Sequence, residues 1–184
     1  MSAGNLAGLE DVKAWLGLQS STDDLLLNRL IAAASRFVEL WLSRTIAPTD
    51  YDEAWDGNGG IRAPFPNTPV TAVAALAIDG VAIQPAAGPT DPGYRFDESL
   101  LMLQGHRFHR GFRNVRVSYT AGFATVPADI AQACIEIAGL RYRERDRIGQ
   151  SSKSLQGEVV SFIQKDIPDP VRAMLAPYRK VISL

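Results

Sequence analysis

The side chains best suited to chemistry are a run of carboxylates. Asp50, Asp52, Glu53 and Asp56 gather around Trp55, and acids at that density can hold a divalent cation or divide the acid and nucleophile roles of glycoside hydrolysis. Asp56-Gly57-Asn58-Gly59 echoes the start of a calcium loop, yet the twelve-position spacing and closing glutamate of such a loop are missing. Hydrolysis needs two carboxyl groups facing each other across a cleft, which adjacency on a turn does not provide. A solvated hairpin is the preferred reading of the cluster, and a small hydrolase using Asp52, Glu53 or Asp56 stays as the lesser alternative. His106 and His109 are the only histidines, and no Asp, Glu or Cys lies between Glu98 and Asp129 to complete a zinc site with them. Phosphate-binding glycine loops, the G-x-S-x-G elbow and H-E-x-x-H are all absent. The residues therefore predict a non-enzyme, with no catalytic, cofactor-binding or metal-ligating residue assigned.

Two arginine groups suggest contact rather than catalysis. Arg107, Arg110, Arg113 and Arg116 are interspersed with Phe108 and Phe112 and have no acid among them. Such a stretch suits nucleic acid or an acidic partner, and also suits a solvated strand and turn. Further along, Arg141, Arg143, Arg145 and Arg147 interleave with Glu144 and Asp146. That composition fits a helix end whose cations complement the dipole, or an intersubunit contact. The whole chain carries 19 Lys and Arg against 20 Asp and Glu, a formal charge of -1, which argues against a tight phosphate grip over its full surface. The single cysteine, Cys134, lies in the apolar stretch 130–140. It reads as a small buried residue in a protein from a reducing compartment. No leader pattern and no long apolar run occur, so a soluble, cytoplasmically made protein without a membrane partner is expected.

The elements that must position these residues fall into three stretches. Leu9, Val12, Trp15 and Leu16 recur at helical spacing before Gly17, predicting a helix over 9–16. Ser21 and Asp24 form a capping-box variant opening a long helix over 22–44. Its apolar stripe is Leu27, Leu30, Ile31, Ala34, Phe37, Val38, Trp41 and Leu42, with Asn28, Ser35, Arg36, Glu39 and Ser43 on the other face. Between Ala47 and Pro127, Gly, Pro and β-branched residues predict antiparallel β structure, with turn signals at Asp56-Gly57, Asn58-Gly59 and above all Asp79-Gly80. Helix returns over 128–147. The serine-rich segment 149–165 contains a strand-like run at 159–163, and Asp169-Pro170 opens a last helix to about 181. The order predicts an α+β fold, a small bundle of about four helices carrying an inserted antiparallel β lobe. The expected division is 1–47 with 125–184 for the helical core and 48–124 for the lobe.

Several motifs then agree in order with one family. Tyr119-Thr120-Ala121-Gly122-Phe123, Val126-Pro127-Ala128-Asp129-Ile130, Arg143-Glu144-Arg145-Asp146-Arg147-Ile148-Gly149, Ser154-Leu155-Gln156-Gly157-Glu158 and Leu175-Ala176-Pro177-Tyr178-Arg179 resemble the head-tail connector (adaptor, head-completion) proteins of tailed phages and prophages. The opening helix 9–16 and the Asp23-Asp24 then Leu25-Leu26-Leu27 start of the second helix are similar too. The β lobe exceeds that of the nearly all-helical members.

The resemblance implies a structural virion protein assembled in the bacterial host cytoplasm, one of about twelve copies in a closed ring at the particle neck. Its implied partners are itself, the portal protein above, a stopper or tail-completion protein below, and double-stranded DNA passing through without sequence-specific binding. A near-neutral subunit suits that passage, because a strongly basic lumen would retain DNA. Subunit or partner contacts are expected at Arg143, Arg145, Arg147, Lys153, Leu155, Val160, Phe162, Tyr178 and Arg179. Segment 149–165 is expected to be an arm that orders on assembly, or alternatively a loop folded on its own subunit. A nucleic-acid-binding module using 107–116 is the main rival function.

Overall fold

The computed structural model describes residues 4–145, 152–155, 158–161 and 167–180. The chain divides into two compact units, residues 1–44 with 126–184 and residues 45–125. Together they make the α+β fold expected, with the helices and one short hairpin in the first unit and the two larger antiparallel sheets in the second.

In the helical unit, α1 (Leu9–Leu16) ends on Gly17, whose φ of 71° is the left-handed conformation that glycine accepts without strain. α2 (Asp24–Leu42) places Leu27, Ile31, Ala34, Val38 and Leu42 in the core. Its start departs from the predicted capping box. Asp23, rather than Ser21, is the N-cap, and its side chain makes no capping bond because it accepts from Tyr142; the Asp24 carboxylate is taken by the buried Lys13 ammonium of α1, 3.0 Å away. Trp15, expected on the buried face of α1, is half exposed and instead lies along Gly139 of α3 (Ala128–Glu144), where a Cβ would come 3.2 Å from its ring.

Ser35 also reverses its expected placement. It is buried, donates to the Ile31 carbonyl (2.8 Å), accepts from the Leu6 amide (2.9 Å) and lies 3.4 Å from Cys134 Sγ. A helical Ser can satisfy its hydroxyl on the preceding turn, so this burial strands no polar group. Cys134 is buried as expected, and burial pushes its thiol pKa up. The last helix, α4 (Asp169–Leu175), is shorter than predicted. Ala176–Tyr178 tightens into a 3-10 turn, since Pro177 cannot extend the α-helical bonding.

The β unit holds a four-stranded sheet in the order β1-β7-β3-β4 and a three-stranded sheet in the order β2-β6-β5. β1 (Thr49–Gly57) and β3 (Val70–Ile78) flank the long β7 (Gly111–Ala121), and every ladder is antiparallel. β3 and β4 (Val81–Ala82) form the predicted hairpin at Asp79-Gly80, with φ of 52° and 81° as a primed turn requires. Asp56-Gly57-Asn58-Gly59 does not close a hairpin. It carries the chain from β1 to β2 (Arg62–Pro64), which belongs to the other sheet and pairs with β6 (Leu100–Gln104); β5 (Gly93–Phe96) completes that sheet. Phe65, Leu76, Leu101, Phe108, Val115, Val117 and Tyr119 fill the core.

Within segment 149–165, β8 (Ser152–Leu155) pairs antiparallel with β9 (Glu158–Ser161), and neither joins another sheet. The predicted strand is thus partly met; its residues 162 and 163 lie outside the described residues, as does the predicted helix end at 146–147.

Candidate functional site

Period-two alternation along β1 splits the acidic cluster between the two faces of the sheet. Asp50 and Asp52 accept from the Thr120 and Ser118 hydroxyls of the neighbouring strand at 2.6 and 3.3 Å, in exposed positions. Glu53 points the other way, accepting from Tyr119 Oη (2.9 Å), Trp55 Nε1 (2.9 Å) and Asn67 Nδ2 (3.1 Å). Around it Tyr119 stacks on Tyr51 and meets Phe65, with centroids 5.3 and 4.9 Å apart. Burial pushes the Tyr119 phenol pKa up, and the Glu53 carboxylate adds to the rise against the Asn67 bond. Asp56 accepts from the Arg113 amide (2.7 Å). The carboxylates are therefore spent largely on internal hydrogen bonds that tie strands together; Asp52 and Glu53 also line a shallow, open depression of about 370 Å³ with Trp55, Pro66 and Arg113. Among the described residues no group of three or more His, Cys, Asp or Glu side chains is arranged to hold a metal ion.

The arginine stretch 107–116 is organised by a residue that sequence reasoning passed over, Asn114. Its Oδ1 accepts from the Gly57 amide, and its Nδ2 donates to Asp79 Oδ1 and to the His109 carbonyl, each at 2.9 Å. His109 Nδ1 meets Asp79 Oδ2 at 2.7 Å. The bonds from Asn114 and His109 hold the Asp79 pKa below the usual carboxylate range. This clamp fixes the start of β7, which bulges between Gly111 and Val115 where it pairs with β1 and where Arg113 takes a φ of 48°, unusual for a side-chain-bearing residue. Phe108 is buried in the core of the lobe, whereas Phe112 is 84% exposed. The interleaved aromatics thus divide into one anchor and one presented ring. Arg107, Arg110, Arg113 and Arg116 are all exposed, and none forms an ion pair among the described residues.

The second set of expected contacts lies in the helical unit. Arg143 is exposed on the last turn of α3. Arg145 lies over the Tyr142 ring (4.0 Å) and donates to the Tyr142 carbonyl, while the Tyr142 hydroxyl donates to Asp23. Tyr178 donates to Asp129 (3.2 Å) and receives Arg44 Nη1 on its carbonyl (3.1 Å); Arg179 covers the Trp41 ring at 5.2 Å. Tyr178 and Arg179 therefore fasten the chain after α4 onto α2 and α3 of their own subunit. Lys153, Leu155 and Val160 fall on the β8–β9 hairpin, while Arg147 and Phe162 lie outside the described residues. Sequence reading also missed Leu25 and Leu40, which stand exposed on α2 outside its apolar stripe.

A small helical unit with a β lobe whose polar clusters brace its strands defines a structural protein. The model of the head completion protein family matches residues 5–181, and the chain belongs to that family. The match bears out the resemblance to head-tail connectors and its reading as a structural neck protein. Among solved structures, the chain is similar to one in the neck of an empty gene transfer agent particle computed with C6 symmetry, at 19% identity and a TM-score of 0.60. It is also similar to one in the neck of the native particle computed with C12 symmetry, at 18% and 0.61, and to one in the native particle's virion, at 21% and 0.60. Each covers 100% of this chain and 94% of the other. No curated protein matches the chain significantly.

Proposed function

We propose that this chain is a non-enzymatic ring subunit of a virion neck, seated beneath a portal, surrounding the DNA channel and offering its far side to a stopper or tail-completion protein. The observation that carries the reading is the family match over nearly the whole chain, supported by the shared fold of neck proteins from particles computed with C6 and C12 symmetry. Repeated rotation of one heterologous contact closes a ring, so each subunit needs two different faces. The exposed Arg143 and the β8–β9 hairpin with Lys153, Leu155 and Val160 supply one such face. Tyr178 and Arg179 hold the adjoining chain in place, and Arg147 and Phe162 are the remaining contact residues of this reading. Among the described residues β8 and β9 pair only with each other, and an edge strand of this kind can accept a strand from a neighbour. Electron microscopy of the chain mixed with its portal tests the reading.

A further inference from the structure

We propose that Asn58-Gly59 is a deamidation site that the β lobe holds closed, so that Asn58 is modified only when the passage from β1 to β2 opens. This goes beyond the ring reading and does not depend on it. Asn58 is the one asparagine of the chain followed by glycine, and a glycine has no side chain to keep its backbone nitrogen away from the preceding carboxamide. In the reaction the Gly59 nitrogen loses its proton to solvent base and bonds to Asn58 Cγ. The Cγ–Nδ2 bond breaks, and ammonia leaves with a proton. Water then opens the cyclic imide, returning a proton to the Gly59 nitrogen. Its hydroxyl goes to Cγ, giving aspartate, or to the backbone carbonyl carbon, giving isoaspartate.

Every group in that reaction is engaged in the folded lobe. The nucleophile, the Gly59 amide, donates to the Phe108 carbonyl at 2.6 Å, and the Phe108 side chain is anchored in the core. Asn58 Oδ1 accepts from the Gly60 amide (2.8 Å), and Nδ2, the leaving group, donates to the Arg62 carbonyl (2.9 Å). Reorienting the carboxamide for attack breaks both bonds. Residue 59 has a φ of 80°, in the left-handed region that favours glycine, and the Arg110 side chain lies 3.2 Å from the place of a Cβ. The turn thus demands the glycine that makes Asn58 labile, and the bonds around it supply the protection. The two Asp-Gly pairs, which cyclise by the same route with loss of water, are tied down as well. Asp56 accepts from the Arg113 amide, the Gly57 amide donates to Asn114, and Asp79 is held by Asn114 and His109. Asn58 is exposed, so water for the hydrolysis is at hand once the loop opens. The product carboxylate has no proton to donate and faces the Arg62 carbonyl oxygen instead; the isoaspartyl form also lengthens the main chain between β1 and β2. The loop cannot then reclose as before, so deamidation makes an opening irreversible.

The test follows Asn58 by peptide mapping and mass spectrometry in mildly alkaline buffer. The samples are the folded full chain, the same chain unfolded in guanidinium chloride, and a synthetic peptide of residues 54–64 with and without the denaturant. The unfolded chain and the peptide should deamidate at one rate, and the folded chain about tenfold or more slowly, because reaction waits on local opening. Asn58→Asp, which makes the product directly, should lower the unfolding midpoint. Asn58→Ser, whose hydroxyl can still accept from Gly60, should keep more of it. A folded chain that deamidates as fast as the peptide, or an unfolded chain that keeps Asn58 intact, would overturn the proposal. An Asn58→Asp midpoint equal to that of the native chain would overturn the irreversible opening.

Discussion

At the scale of single residues, the polar groups with most partners are structural. Asn114 serves three partners at once, so Asn114→Ala strands the Gly57 amide and loosens the Asp79 turn; a loss of about 1–3 kcal/mol is expected in urea unfolding. No change in midpoint would show that water replaces the side chain freely. Tyr119 gives a pH prediction. Its folded pKa is raised above the ordinary 10, so the folded chain keeps a proton that the unfolded chain has released. Stability from this group is intact below that ordinary value and is lost as pH climbs through the folded one. Tyr119→Phe should therefore flatten the alkaline fall in unfolding midpoint, and an unchanged slope would count against the buried Tyr119 phenol as its origin. Neither Glu53 nor Asn114 was legible as a hub from sequence. Their partners Tyr119, Asn67, Asp79 and Gly57 are distant in sequence and meet only through strand register. Sequence reading places the carboxylates on a turn; they lie instead along β1, where register decides which face each one serves.

At the scale of elements, periodicity and turn chemistry carried most of the fold. The stripe of α2, the glycine stop of α1 and the Asp79-Gly80 hairpin are local properties, and local sequence decides them. The Ser21 capping box, buried Ser35 and half-exposed Trp15 depend on Tyr142, Cys134 and Gly139 from another helix, so tertiary context overrode the local signal. The β8–β9 hairpin tests the proposed arm. An isolated two-stranded hairpin is marginal in water, so backbone amides of Glu158–Ser161 should exchange fast in the free chain and slow on assembly. Val160→Asp with Phe162→Asp should abolish docking. Strong protection already present in the free chain and unchanged on assembly would show instead a loop folded on its own subunit.

At the scale of the whole molecule, the change of composition near Ala47 and Pro127 lies close to the division into residues 1–44 with 126–184 and 45–125. The proposed independence of the lobe predicts that replacing 50–124 by a short linker leaves a helical core that melts cooperatively; gradual, non-cooperative melting would make the lobe part of one core. Ring symmetry could not be read from sequence, because it depends on how two distant faces of a subunit fit one another. The most direct test of the account is electron microscopy of the full chain mixed with its portal. It predicts class averages with a closed ring of added density coaxial with the portal and an open central channel. Portal particles with no added density beneath them, at concentrations where both proteins are folded, would contradict it.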